Sequence, residues 1–152
     1  MQVINASFLL CFLVPLFCLA EAVADPLVGV WQHRTFVQTA EGKVVRQYDS
    51  TDGGTLEFRP DGTWYMRDGA HQSAGTYRRM SSGFLESTIT SSDFPKQVGH
   101  TSMKKATVKD QALVLVTEYN EEGMKVMVAR PDGTRPTSMS VTSTFRKIGV
   151  KK

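Results

Sequence analysis

The chain has 152 residues, with 18 Lys and Arg against 15 Asp and Glu and a formal charge of +3. That length fits one domain of ordinary size. The basic residues come as scattered pairs (Arg78-Arg79, Lys104-Lys105, Lys151-Lys152) and are not interleaved with aromatics, so composition makes no case for nucleic-acid binding.

Residues 6–20 are almost wholly apolar, including Phe8, Leu9, Leu10, Phe12, Leu13 and Leu19. A membrane-spanning helix needs about 20 such residues; this run is shorter, and Pro15 interrupts it. Glu21 ends it, and Ala22-Val23-Ala24 has the small-x-small pattern of a signal-peptidase site. The expectation is a cleavable secretory signal over residues 1–24, cut between Ala24 and Asp25. It implies a secreted or periplasmic protein without stable membrane insertion after cleavage. An uncleaved anchor and a lipoprotein are the alternatives. Residues 1–7 carry no Lys or Arg, and bulky Phe17 precedes Cys18 where lipid modification wants a small residue. Both cysteines, Cys11 and Cys18, lie in this segment, so the domain at 25–152 has no disulfide, thiol nucleophile or Cys metal site.

Beyond the signal no stretch keeps helical periodicity. Turn signals recur roughly every ten residues instead, the mark of a meander of strands. Strands are expected at 29–39, 43–50 and 55–59, where Leu56 and Phe58 face one way. Pro60-Asp61-Gly62 is a hairpin signal. Residues 63–67 alternate again, with Trp64 and Met66 on one face. Further strands are expected at 73–80, 84–91, 100–109 and 112–119, with a loop at 92–99. In the 112–119 strand Leu113 to Val116 are consecutively apolar, which implies burial on both faces or the densest packing of the fold. Strands at 124–130 and 138–148 complete the set. Arg-Pro-Asp-Gly-Thr occurs at Arg59 and again at Arg130, but the flanks differ, so it reads as a turn sequence used twice. The fold expected is all-β, an antiparallel up-and-down barrel of about 8–10 strands, because closing the sheet removes its exposed edges. A two-sheet sandwich is the alternative.

Three places resemble the calycin superfamily, close to small lipocalin-like domains. Gly29-Val30-Trp31 resembles the Gly-x-Trp signature of the first lipocalin strand. Leu56-Glu57-Phe58 through Asp61-Gly62-Thr63-Trp64, with Gly75-Thr76-Tyr77, resembles the central hairpins. Thr144-Phe145-Arg146 resembles the last strand. The chain departs from full-length lipocalins in lacking disulfides and a helix after the barrel. The resemblance implies that Trp31 closes one barrel end with Arg146 packed across its ring, a structural closure rather than a ligand contact.

Three function classes follow. As a binding module, the barrel would hold a small apolar or amphipathic ligand against Leu56, Phe58, Trp64, Met66, Leu115 and Met127; the bland alternative is that these residues fill a solid core. The 92–99 loop, with Phe94, is either a lid or a plain connection. As a cavity-poor interaction or inhibitor module, it would use surface loops and one basic face made of Arg78, Arg79, Lys104 and Lys105, if their strands neighbour each other. As an enzyme it lacks signals. His33, His71 and His100 show no metal-ligand spacing, Glu121-Glu122 sits in a turn, there is no Gly-x-Ser-x-Gly, and Gly53-Gly54 lacks the Lys of a phosphate loop. No catalytic residue, metal site or cofactor is expected, and no nucleic-acid partner.

Overall fold

A computed structural model describes residues 25–50, 53–119 and 136–149. Within them nine strands follow in order: β1 (Gly29–Ala40), β2 (Lys43–Asp49), β3 (Thr55–Phe58), β4 (Thr63–Asp68), β5 (His71–Arg79), β6 (Phe84–Ser92), β7 (Thr101–Lys109), β8 (Ala112–Tyr119) and β9 (Met139–Gly149). A single 3-10 turn, Pro95–Gln97, interrupts the β6–β7 connection. The strand expected at 124–130 lies outside the described residues, as does the signal segment.

Each strand pairs antiparallel with its neighbour, and β1 pairs with β9 over its whole length, from Val30–Gly149 to Ala40–Met139. This closure makes the sheet a barrel and rules out the sandwich. β2 and β3 share one edge of β1: β2 faces residues 35–40 and β3 faces residues 29–32. They act as two halves of one broken strand. The closed ring therefore runs from β1 through β3 to β9 and back, eight strands, with β2 as a flap along the far half of β1.

The hairpins follow local chemistry. Glu41 (φ 51°) and Gly42 (φ 75°) both adopt positive φ, as a two-residue hairpin turn between right-twisted strands demands. At Pro60-Asp61-Gly62, the Asp61 carboxylate accepts hydrogen bonds from the Thr63 amide (2.9 Å) and the Thr63 hydroxyl (2.6 Å). Gly75 is required by packing. A Cβ there would stand 1.9 Å from the Thr88 carbonyl oxygen and 2.8 Å from the Trp64 ring, so Trp64 lies directly on the glycine's bare backbone.

One end of the barrel is filled. The Asp25–Val28 turn, held by the Val28 amide on the Asp25 carbonyl (3.0 Å), inserts Leu27, which is fully buried. Trp31, also fully buried, donates its indole N–H to the Leu27 carbonyl at 2.7 Å. Leu85 and Leu113 are fully buried in the same core cluster, together with Phe58 and Phe145. The cation over Trp31 is Lys147, with Nζ 5.1 Å from the ring centroid, and not the expected Arg146. Alternation explains the correction. Phe145 is buried inside the barrel, so Arg146 points outward and Lys147 returns to the inner side, where it pairs with Trp31. Lys147 also donates to the Pro26 carbonyl at 3.4 Å, tying the floor turn to the last strand. The apolar run on β8 is likewise divided by parity. Leu113 and Leu115 are buried, whereas Val114 and Val116 face outward, half-buried.

Candidate functional site

Above the floor the barrel encloses a cavity of about 370 Å³. Inward-facing side chains from β3, β4 and β6 to β9 line it. Leu56 and Phe58 come from β3, Trp64 and Met66 from β4, and Leu115 from β8, so five of the six expected ligand-lining residues meet in one space. The sixth, Met127, lies outside the described residues. Trp64 is fixed by its N–H, which donates to the Thr76 carbonyl at 3.1 Å. Met66, 38 % exposed, stands at the mouth. The Gln97 and His100 side chains come from the β6–β7 connection and complete the rim. Phe94 does not cover the mouth; its ring packs on His71 at 4.7 Å between centroids.

A smaller lobe of about 210 Å³ adjoins the cavity, sharing Met66, Ser143 and Phe145 with it. It lies where β2 leaves the ring. His33, Phe36 and Tyr48 line it as a series of packed rings. Phe36 stacks on Tyr48 at 4.9 Å, His33 meets Phe145 at 5.0 Å, and the Arg46 guanidinium lies 5.2 Å from the Tyr48 centroid. The His33 Nε2 atom is buried and has no hydrogen-bond partner among the described residues.

The larger cavity is not uniformly apolar. Ser87, Ser102, Thr117, Tyr119 and Ser143 place hydroxyls along it, and Lys104 projects into it from β7. Burial pushes the Lys104 ammonium down to about 8 and raises the Tyr119 phenol above its ordinary value. Lys104 donates to the Ser102 hydroxyl. The expected basic face is thereby dismantled. Lys104 points inward, β6 separates β5 from β7, Arg78 pairs with Glu86 at 3.0 Å, and Arg79 pairs with Asp25 at 2.8 Å.

Lys104 is expected from the sequence on a basic outer face, and Lys147 carries no expected role; strand alternation bears on both. Adjacent residues in a strand face opposite sides. At Lys104-Lys105 and Arg146-Lys147 one member of each adjacent pair therefore turns to the inner side, whereas Arg78 and Arg79, at the end of β5, are both exposed. Gln97 carried no such signal, because a loop has no alternation to read; His100, expected to open the strand at 100–109, lies just before β7.

No protein-family model matches the chain, and no curated protein matches it. The chain is similar to a solved structure. That structure is an uncharacterized protein from Bacteroides eggerthii DSM 20697, with 18% identity and a TM-score of 0.45. The match covers 80% of this chain and 99% of that one. Among the described residues no group of three or more His, Cys, Asp or Glu is arranged to hold a metal ion.

Proposed function

We propose that this protein binds one small apolar or amphipathic molecule inside its barrel. The observation that carries the reading is the cavity of about 370 Å³, closed at one end by Trp31 and Leu27 and walled by Leu56, Phe58, Trp64 and Leu115. A volume of roughly 300 Å³ or more is what a ligand site of this kind uses. A barrel with no binding role would gain stability by filling that space, since empty volume forfeits dispersion contacts. The lipocalin-like sequence pattern supports the same reading. The alternative of an interaction module acting through surface loops and a basic face has less support, because Lys104 points inward and Arg78 and Arg79 are held in ion pairs.

The protein does this work after export, on the reading that residues 1–24 are removed. An intact mass that starts at Asp25 for protein recovered from the periplasm or medium supports this part; retention of residues 1–24 on recovered protein contradicts it.

Titration with an environment-sensitive apolar fluorophore tests the binding itself. Saturable one-to-one binding is expected for the wild type. Ser143→Phe and Ile89→Trp each fill the cavity from a half-buried position and should weaken binding by roughly tenfold or more, with the far-ultraviolet circular dichroism unchanged. A wild type that binds nothing, or filled variants that bind as well as it does, would sink the reading.

A further inference from the structure

We infer that the molecule held in the barrel is an apolar monoanion, a carboxylic acid on an aliphatic or aromatic body, with its carboxylate on Lys104. This rests on the barrel being a binding site and names the ligand class of that site.

The placement of Lys104 comes first. On β7, Ser102, Lys104, Ala106 and Val108 face the barrel interior, and Lys104 stands opposite Leu85, which is buried. The ammonium therefore enters the cavity between apolar walls. Its described hydrogen-bond partner is the neutral Ser102 hydroxyl. None of the ion pairs among the described residues includes it. No Asp or Glu stands among the described residues lining the cavity.

A cation so placed is costly. Buried charges in proteins are almost always paired, and desolvation without a counter-charge is among the larger single penalties a fold can carry. A barrel whose interior served only as core would place Leu or Met at this position. The counter-charge that would offset the cost has room to enter from outside.

The neighbouring groups fit the same partner. Ser87, Ser102, Thr117 and Tyr119 offer hydroxyl donors, and such groups satisfy the remaining lone pairs of an oxyanion. Toward the floor the walls turn apolar, with Phe58, Leu115 and Phe145, and suit the body of the ligand rather than its head. Charge count selects the class of acid. Lys104 is the one Lys or Arg among the described residues of this cavity, so it balances a single negative charge. A phosphomonoester at about −2 near neutral pH would leave charge uncompensated in an apolar space.

The wall also changes at this point. The β7–β8 ladder runs from Lys109–Ala112 to Lys105–Val116 and, among the described residues, stops there, although both strands continue. Ser102, Lys104, Thr117 and Tyr119 all lie in the stretch beyond the last paired rung. The polar end of the cavity thus coincides with a section of wall where β7 and β8 are not laddered.

Isothermal calorimetry with dodecanoate, dodecanol and dodecyltrimethylammonium, each below its micellar concentration, tests the inference on the wild type, Lys104→Met and Lys104→Arg. The wild type should bind dodecanoate at least roughly tenfold more tightly than dodecanol and disfavour the cationic amphiphile. Lys104→Met should bind dodecanol as the wild type does and lose that tenfold preference for the acid. Lys104→Arg should keep most of it. Should Lys104→Met fail to fold, the acid-against-alcohol comparison on the wild type and Lys104→Arg still decides the matter. Equal affinity for acid and alcohol in the wild type, with both bound, overturns the anion assignment while leaving a binding barrel in place. No binding of any of the three overturns the barrel reading itself.

Discussion

Lys104 and Lys105 are neighbours in sequence and lie on opposite sides of the barrel wall. The outer one is exposed; the inner one is half-buried, and desolvation depresses it from 10.5 to about 8. The unfolded chain keeps the ordinary value. Between pH 8 and about 10.5 the unfolded state therefore holds a proton that the folded state has lost, and stability rises with pH across that window. Below pH 8 both states are protonated and the full desolvation cost is present, on the order of 3 kcal/mol. His100 and Tyr119, which line the same cavity, are the other ionisable groups there. Lys104→Met should accordingly be more stable than the wild type at neutral pH by about 1–3 kcal/mol, an advantage that shrinks as pH rises from 8 toward 10.5. Urea unfolding at several pH values reads this directly. A destabilised Lys104→Met would mean that the lysine is structural. The second adjacent pair gives a companion test. Lys147→Met removes the cation from over Trp31 and its bond to the Pro26 carbonyl, and should cost roughly 1 kcal/mol. Arg146→Ala, on the outer face, should stay within about 0.5 kcal/mol of the wild type.

Among the elements, the β4–β5 hairpin bears most on the site, because Trp64 is both wall and core. Its seat is Gly75. Gly75→Ala would drive a methyl into the Thr88 carbonyl and the Trp64 ring, and should destabilise the protein by about 1–3 kcal/mol while weakening ligand binding through a displaced Trp64. A loss of binding with no loss of stability would contradict the account. β2 stands at the other extreme. All seven of its residues are exposed and it lies outside the closed ring. Its amides should exchange with solvent at least about two orders of magnitude faster than those of Ala112–Val116 in β8, which are laddered on both sides. Equal protection would show the flap and ring opening as one unit. These elements also mark what the sequence made legible. Turn residues such as Glu41-Gly42 and Pro60-Asp61-Gly62, with the alternation in Leu56-Glu57-Phe58 and Trp64-Tyr65-Met66, placed the hairpins and four cavity residues, because turn chemistry and period are local. Two features were not local. That β2 and β3 share one edge of β1 depends on where β1 is long enough to be paired twice. That Lys147 rather than Arg146 caps Trp31 depends on the β1–β9 register, which shifts between Val30 and Trp31. Parity from Phe145 carried that answer, once Phe145 is known to face inward.

At the scale of the whole molecule, ring closure joins the first and last described strands around the cavity. β1 and β9 are paired along their length, and Thr35 and Thr144 hold hydroxyls 2.5 Å apart across that seam. A closed wall cannot relax one side chain at a time, so interior cost is borne by the entire barrel. Among the described residues two such costs stand, the cavity and the Lys104 ammonium without a charged partner. Both fall together when an apolar acid enters. Ligand that binds only the folded state at a hundred times its dissociation constant adds about 2.7 kcal/mol of stability. For the wild type with dodecanoate, that gain should appear as a raised denaturation midpoint and saturate only logarithmically with concentration. For Lys104→Met at the same dodecanoate concentration, the starting midpoint should be higher and the gain smaller, because the apolar body still binds while the charge has no partner. The two proteins should thus converge in stability as the acid is added. If the gains were equal, the ammonium would contribute nothing to the complex, and its place inside the barrel would have to be explained by the fold alone.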